Sequence, residues 1–224
     1  MNAIPRLKAY EGPALLSYGF RPFFFFGACH AAVGVAIWIP LFEGAIALPT
    51  LFAPRDWHVH EMLFGYVAAV LTGFLLTAIP NWTGRLPLNG GPLLGLVLVW
   101  FAGRFAVSWS LQLGWAISAS IDCAFLALVV AATAREILAG QNWGNLKVLI
   151  PVTILALANI GFHVEAAVFG VADFSIRAAI AALMILIMLI GGRIVPSFTR
   201  NWLARENPGR FPAPFSRFDI GSIA

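Results

Sequence analysis

The 224-residue chain is 60% hydrophobic and only 11% charged. An ordinary soluble domain carries about 25% charged residues, so this composition, with a mean hydropathy of +0.86, argues against a soluble protein and indicates a membrane protein. The net charge of +4 does not identify a nucleic-acid-binding protein, because in a membrane protein the placement of Lys and Arg is more informative than their sum.

The chain begins with residues 1–19, which are mixed in composition and which we interpret as a cytoplasmic N-terminal segment. A spanning helix needs about 20 mostly apolar residues, and the apolar runs are too long for strands and do not alternate with period two. Six helices are therefore predicted to cross the membrane, at 20–42, 58–80, 91–112, 114–137, 146–170 and 174–198. The sequence thus predicts an all-α membrane protein with a six-helix transmembrane bundle over residues 20–198.

The last segment, residues 199–224, is predicted to be a cytoplasmic loop or tail. Its final stretch, "NPGRFPAPFSRFDIGSIA", is rich in proline and then turns apolar. This pattern resembles the start of a further helix and favours a chain that is truncated before additional helices, although an unusual natural terminus would give the same pattern.

Basic residues predict the orientation of the bundle. With a cytoplasmic N-terminus, the outer side holds only Arg55 and Arg177, while Arg104 lies inside the third helix. The cytoplasmic side then holds Arg6, Lys8, Arg21, Arg85, Arg135, Lys147, Arg193, Arg200, Arg205, Arg210 and Arg217. This asymmetry follows the positive-inside rule, so both termini are predicted to be cytoplasmic.

Several polar side chains fall inside the apolar runs, where a charge costs a few kcal/mol. They are His30, His58, His60, Glu61, Arg104, Asp122, Asn159, His163 and Glu165. At about 1.5 Å rise per residue, the four histidines can converge in the outer half of the bundle. Imidazole is the commonest metal and haem-iron ligand, so all four are candidate ligands. The alternatives are an interfacial pair beside Trp57 for the second helix, and a proton relay or packing role for His30 and His163.

Helical phase separates the two histidines of the "HVHE" stretch. At about 100° per residue, His60 shares its face with bulky apolar residues that suit lipid. His58 shares its face with Met62, Gly65, Ala69, Thr72 and Gly73, and Glu61 borders that face. Small residues allow close helix packing, so His58 is predicted to point inward. Both imidazoles can reach one ion only if the start of the helix is extended, with Asp56 as its cap.

Arg104 and Asp122 lie at equal distances from Leu113, in the short loop between the third and fourth helices. An antiparallel hairpin brings them to the same depth, which predicts a structural ion pair. In the alternative, Arg104 binds an anionic cofactor group such as a haem propionate.

Four stretches of the chain resemble the NnrS family: "GFRPFFFFGA" (19–28), "DWHVHEMLFGYVAAVLTGFLLTAIPNWTG" (56–84), "AGRFA" (102–106) and "GGRIVPSFTRNWL" (191–203). The resemblance implies a multi-helix protein of the bacterial inner membrane that contains haem and copper and responds to nitric oxide and nitrosative stress. It singles out His58, His60 and Glu61 from "HVHE", and Arg193 from "GGR". Full-length members of the family have about twice as many helices, so the resemblance implies an N-terminal half whose missing half could supply further ligands.

Three functional hypotheses follow. The first is a haem- or copper-binding membrane protein that counters nitric oxide, with cofactor-binding residues drawn from His30, His58, His60, Glu61, Arg104 and His163. The second is a transporter or channel in which the buried polar groups line a path. The third is a partner subunit whose cofactors belong to another chain. No acid/base dyad, nucleophile motif or nucleotide loop is recognisable, so enzyme, sensor and metal-handling roles all stay open.

Overall fold

The computed structural model describes residues 10–206, 209–213, 216, 218–219 and 221. Arg6, Lys8 and Arg217, together with most of the predicted N-terminal segment and part of the predicted tail, lie outside the described residues. Seven helices, two 3-10 turns (Ala14–Leu16 and Trp143–Asn145) and no strand make up the elements of this described part. The helices are α1 (Phe20–Phe42), α2 (Pro54–Thr83), α3 (Gly90–Ser108), the short α4 (Ser110–Leu113), α5 (Trp115–Ala139), α6 (Leu146–Phe169) and α7 (Asp173–Glu206).

Six of these helices, all except α4, are long and apolar enough to cross a membrane. The prediction of an all-α protein with six spanning helices is therefore confirmed. The last helix continues to Glu206, beyond its predicted end at residue 198. The cytoplasmic placement of both termini stays a prediction. We call the end of the bundle that carries the α1–α2, α3–α5 and α6–α7 connections the outer end.

Helix α2 contains a π-helical segment, Glu61–Val67, between its α-helical parts Pro54–His60 and Ala68–Thr83. Pro54 occupies the first turn, where a missing backbone N–H costs nothing. The helix ends at Thr83 and is capped by Gly84, whose φ of 72° is left-handed and suits glycine at this position. A π segment holds one extra residue compared with an α-helix and is frequent at functional sites.

Packing places α2 in the centre of the bundle. It contacts α1, α3 and α5, while α5 also packs on α3 and α6, and α6 packs on α7. Of the most apolar window of α2, 56% is buried, compared with 17% for α1 and for α7. A central helix can bury polar side chains on more than one face, because protein surrounds it instead of lipid.

The α1–α2 connection is tied to the α3–α4 turn by hydrogen bonds. The backbone N–H of Leu51 donates to Ser110 Oγ at 2.8 Å, and that of Leu111 donates to Pro49 O at 3.0 Å. Thr50 Oγ1 donates to the carbonyl of Val107 at 2.9 Å. These bonds hold Phe52, which is 6% exposed, over the outer end of the polar cluster described next.

Candidate metal centre

A cluster of buried polar side chains lies in the outer half of the bundle, with contributions from five helices. The fully or nearly fully buried members are His60 and Glu61 of α2, Arg104 of α3, Asp122 of α5, and Asn159 and His163 of α6. His30 of α1 lies at its edge. These groups form a layer across the bundle and not a column along it, so the described residues do not support the transport path considered above.

Asp122 is the centre of this layer. Its Oδ2 lies 3.1 Å from His60 Nε2 and 3.0 Å from His163 Nε2. Asn159 Nδ2 donates to the same oxygen at 2.9 Å, and Asn159 Oδ1 lies 3.1 Å from His60 Nε2. Three potential ligand atoms from three helices therefore converge, all within 4.8 Å of one another.

Arg104 joins the two buried carboxylates. Its Nη1 donates to Glu61 Oε1 at 3.0 Å, and its Nη2 donates to Asp122 Oδ1. The predicted Arg104–Asp122 ion pair is thus confirmed. Close approach of α3 and α5 depends on Gly103, where a Cβ atom would lie 2.9 Å from Asp122 Oδ1 and 3.2 Å from its Cα.

Glu61 connects the layer to His30. Glu61 Oε2 lies 2.8 Å from His30 Nε2, and Glu61 Oε1 lies 3.4 Å from His60 Nδ1. Gly65 leaves the space that this arrangement needs, because a Cβ atom there would lie 2.6 Å from Arg104 Nη1 and 2.7 Å from His30 Nε2. The indole of Trp100 covers the same region, and its Nε1 donates to the Gly65 carbonyl at 3.0 Å.

The prediction that His58 points inward and His60 points to lipid is wrong. His60 is completely buried, whereas His58 is half-buried and stacks on Trp38 with ring centroids 4.1 Å apart. The bulky face of α2 is not a lipid face, since Phe64 and Leu71 are both buried against other helices. Bulky apolar side chains indicate a lipid-facing surface only on a helix at the edge of a bundle.

The small-residue face of α2 packs on α1 instead. A Cβ atom on Gly73 would lie 2.8 Å from Phe24, and one on Gly27 would lie 3.3 Å from Ala69. His58, on the same face, therefore meets Trp38 of α1. The start of α2 is also not extended: the helix begins at Pro54, and Asp56 lies within its first turn without capping it.

His163 belongs to the layer, as the sequence suggested, but nearby Glu165 does not. Its two carboxylate oxygens accept the backbone N–H groups of Phe174 and Ser175, each at 2.9 Å. Glu165 thus binds the first turn of α7, where carboxylates are favourable.

Aromatic rings enclose the imidazoles. Phe52 stacks on His60 with centroids 5.5 Å apart and an interplanar angle of 17°, and it lies 5.5 Å from His163. Phe162 and Phe64 contact His60 at 5.0 and 5.2 Å. Phe52 cannot be recognised from the sequence, because the chain offers no signal that its loop folds over the helix ends. Asp122 is predicted from the sequence only as the ion-pair partner of Arg104.

Comparison with known proteins identifies one family. The family described as NnrS protein matches residues 14–224, nearly the whole chain. No curated protein and no solved structure gives a significant match.

Proposed function

The chain belongs to the NnrS family, and from this premise we propose that it is an inner-membrane protein that binds copper and acts in the response to nitric oxide. The copper ligands in this proposal are His60, His163 and Asp122. The observation that carries it is the convergence of both Nε2 atoms on Asp122 Oδ2, at 3.1 and 3.0 Å.

The chemistry of these donors suits copper. Imidazole nitrogen with carboxylate oxygen is a ligand set that copper accepts. Ligand atoms bound to one ion at about 2.0–2.2 Å stand about 3 Å or slightly more apart, which matches the distance of Asp122 Oδ2 from each histidine Nε2. Asn159 now bonds both His60 and Asp122, so its amide is the group that would move aside for the ion.

The surroundings favour a cation at this position. Two buried carboxylates, Glu61 and Asp122, face one guanidinium, that of Arg104. Buried charges need compensation, and a metal cation would supply it. Glu61 Oε1 also lies near His60 Nδ1, and a proton on Nδ1 shared with that carboxylate would leave Nε2 free for the metal. Carboxylates orient metal-bound histidines in this way.

The protein controls access to the site. His60 is 0% exposed and His163 only 3%, and the phenyl groups of Phe52, Phe64 and Phe162 line the imidazoles. Hydrated ions and polar solutes are excluded by such a wall, whereas a small uncharged gas that dissolves in lipid can reach it between the helices. Bound copper would supply an electron-transfer or coordination centre for that gas.

Haem does not fit at the copper ligands, because His60 is 0% exposed and is enclosed by the rings of Phe52, Phe64 and Phe162, whereas His58 is half-buried and stacks on the single ring of Trp38. Of the four histidines, His58 has no carboxylate or hydrogen-bond partner among the described residues, and its Nδ1 is buried without a partner. We therefore propose His58 as the haem-binding histidine of this chain. His30 is not a candidate, because its Nε2 already contacts Glu61 Oε2 at 2.8 Å.

Metal analysis of the chain purified in detergent tests the proposal. Wild-type protein purified from cells grown with added copper, so that the ion can enter while the chain folds, should retain about one ion per chain, with nitrogen hyperfine structure in its electron paramagnetic resonance spectrum when the copper is Cu²⁺. His60→Ala and His163→Ala should each lower copper retention at least about tenfold, while His58→Ala leaves copper retention unchanged and removes any haem Soret band. Copper absent from folded wild-type protein, or equal in all three variants, would overturn the site.

The physiological part of the proposal has a separate test. A bacterial strain that lacks this chain should grow more slowly under a nitric-oxide donor, and the wild-type gene should restore growth where the His163→Ala gene does not. Growth restored equally by both genes would show that the copper ligands are not needed for the stress response. Comparable membrane levels of both proteins are the control.

A further inference from the structure

A groove on the bundle surface is lined by apolar side chains from three helices. It has a volume of about 530 Å³ and lies between α7 on one side and α1 with α2 on the other. Its lining residues are Phe24, Val67, Val70, Leu71, Phe74, Leu183, Leu186, Ile187, Ile190 and Gly191. From Leu183 to Gly191 it runs about 12 Å along α7, close to the thickness of one leaflet of a hydrocarbon core of about 30 Å.

The groove continues into a pocket of different chemistry. This second cavity, of about 230 Å³, shares Ile190 with the groove and adds Trp82, Arg193 and Ser197. Phe74 of the groove contacts Trp82 with ring centroids 6.2 Å apart. The pocket lies toward the inner end of α7, which is the predicted cytoplasmic side. The apolar groove and the polar pocket therefore lie one after the other along the membrane normal.

Arg193 gives the pocket its charge. The guanidinium donates to Asn145 Oδ1 at 2.8 Å and lies 5.2 Å above the Trp82 ring. The residue is exposed, and no carboxylate of the described residues forms an ion pair with it. A fixed guanidinium without an anionic partner suits a phosphate group.

We propose that the groove and the Arg193 pocket together bind one anionic glycerophospholipid. Its acyl chain lies in the groove between α7 and α2, and its phosphate accepts hydrogen bonds from Arg193 and Ser197. Basic pockets between membrane helices on the cytoplasmic side recognise such headgroups. The inference is independent of the copper site, which lies in the opposite half of the bundle.

Native mass spectrometry of the detergent-purified chain tests this lipid site. Offered equal amounts of dioleoyl phosphatidylglycerol and dioleoyl phosphatidylcholine, the wild-type chain should retain the phosphatidylglycerol preferentially. Arg193→Gln should lower the ratio of the two retained lipids about fivefold, because the headgroup phosphate loses the guanidinium that lines the pocket. Arg193→Lys keeps the charge and should keep the preference. Arg200→Gln, the matched control on the same helix, should leave the ratio unchanged.

The apolar part of the site has its own variant. Gly191→Leu places a side chain in the groove, and a Cβ atom there meets nothing within 4 Å, so the fold tolerates it. It should lower retention of both lipids, while Gly95→Leu, at an equally open position on α3, should not. Equal effects of Arg193→Gln and Arg200→Gln would overturn the proposal. So would a dimer in the wild type that Gly191→Leu abolishes, because a second copy would then fill the groove.

Discussion

Arg104 and Asp122 form a buried ion pair that joins α3 to α5, each residue nine positions from Leu113 in the turn between them. The guanidinium also binds Glu61 at 3.0 Å. One cation thus links α2, α3 and α5 at the same depth. An ion pair in this position adds little net stability while it is intact, but removal of one partner leaves the other charge buried and uncompensated.

Arg104→Leu should therefore destabilise the protein strongly. The expected loss is about 3–5 kcal/mol, because Glu61 and Asp122 would both lose their cation. Arg85→Leu is the matched control, since Arg85 pairs with Glu136 on a more exposed part of the surface, where such pairs contribute about 0–1 kcal/mol. Thermal unfolding in detergent measures both changes, and equal shifts of the midpoint would contradict the buried-pair account.

Gly65→Ala should disturb the same layer without removing a charge. The added methyl group would lie 2.6 Å from Arg104 Nη1 and 2.7 Å from His30 Nε2. Glu61 and Asp122 fix the Arg104 side chain, so it cannot move without losing hydrogen bonds. Overpacking of this kind costs about 1–3 kcal/mol.

Gly95→Ala provides the control for that substitution. Its Cβ atom would meet nothing within 4 Å, and alanine favours a helix over glycine by about 0.5–1 kcal/mol. The two variants should thus shift the midpoint of thermal unfolding in opposite directions. A neutral or stabilising Gly65→Ala would show that the layer has room for the added methyl group.

Glu165→Ala should loosen the start of α7. The carboxylate accepts the backbone N–H groups of Phe174 and Ser175, and loss of such a cap costs about 0.5–2 kcal/mol. Amide hydrogen exchange should accelerate at residues 173–176 and stay unchanged in α5. Glu165→Gln retains one acceptor oxygen and should show a smaller effect. Equal protection in wild type and Glu165→Ala would mean that the cap contributes nothing.

The predicted orientation can be tested by labelling with a membrane-impermeant maleimide. Asp173→Cys, at the outer end of α7, should react in intact cells, because this end is predicted to face the periplasm. Arg200→Cys should react only after the inner membrane is opened. Wild-type protein controls for Cys29 and Cys123, which lie in spanning helices. The reverse pattern would invert the topology.

The sequence predicted the helices well because hydrophobicity alone determines which segments can cross a bilayer. It also predicted the Arg104–Asp122 pair, since a short hairpin brings equidistant positions to the same depth. It failed for His58 and His60, because the phase of a single helix shows which residues share a face but not what packs on that face. Here α1 packs on the small-residue face, and α5 and α6 reach His60 from another side.

Phe52 and the π-helical segment show a second limit of sequence reasoning. The position of Phe52 depends on hydrogen bonds between two connections that are about 60 residues apart in the chain. Such long-range contacts leave no local pattern. The π segment is likewise invisible in "EMLFGYV", because this stretch contains no recognisable breaker such as proline.

The π-helical turn at Glu61–Val67 acts as a one-residue spacer in α2. A π turn takes up one residue more than an α-helical turn, so the extra residue is accommodated within this segment and Pro54–His60 keeps an α-helical relation to Ala68–Thr83. The same number of residues in an ordinary α-helix would rotate the two parts by about 100°, and His60 would turn away from Asp122 while the rest of α2 kept its packing. Deletion of one residue within the π turn should therefore restore an α-helix and leave His60 beside Asp122. The polar layer depends on how the backbone takes up the length of this segment as much as on the identity of its residues.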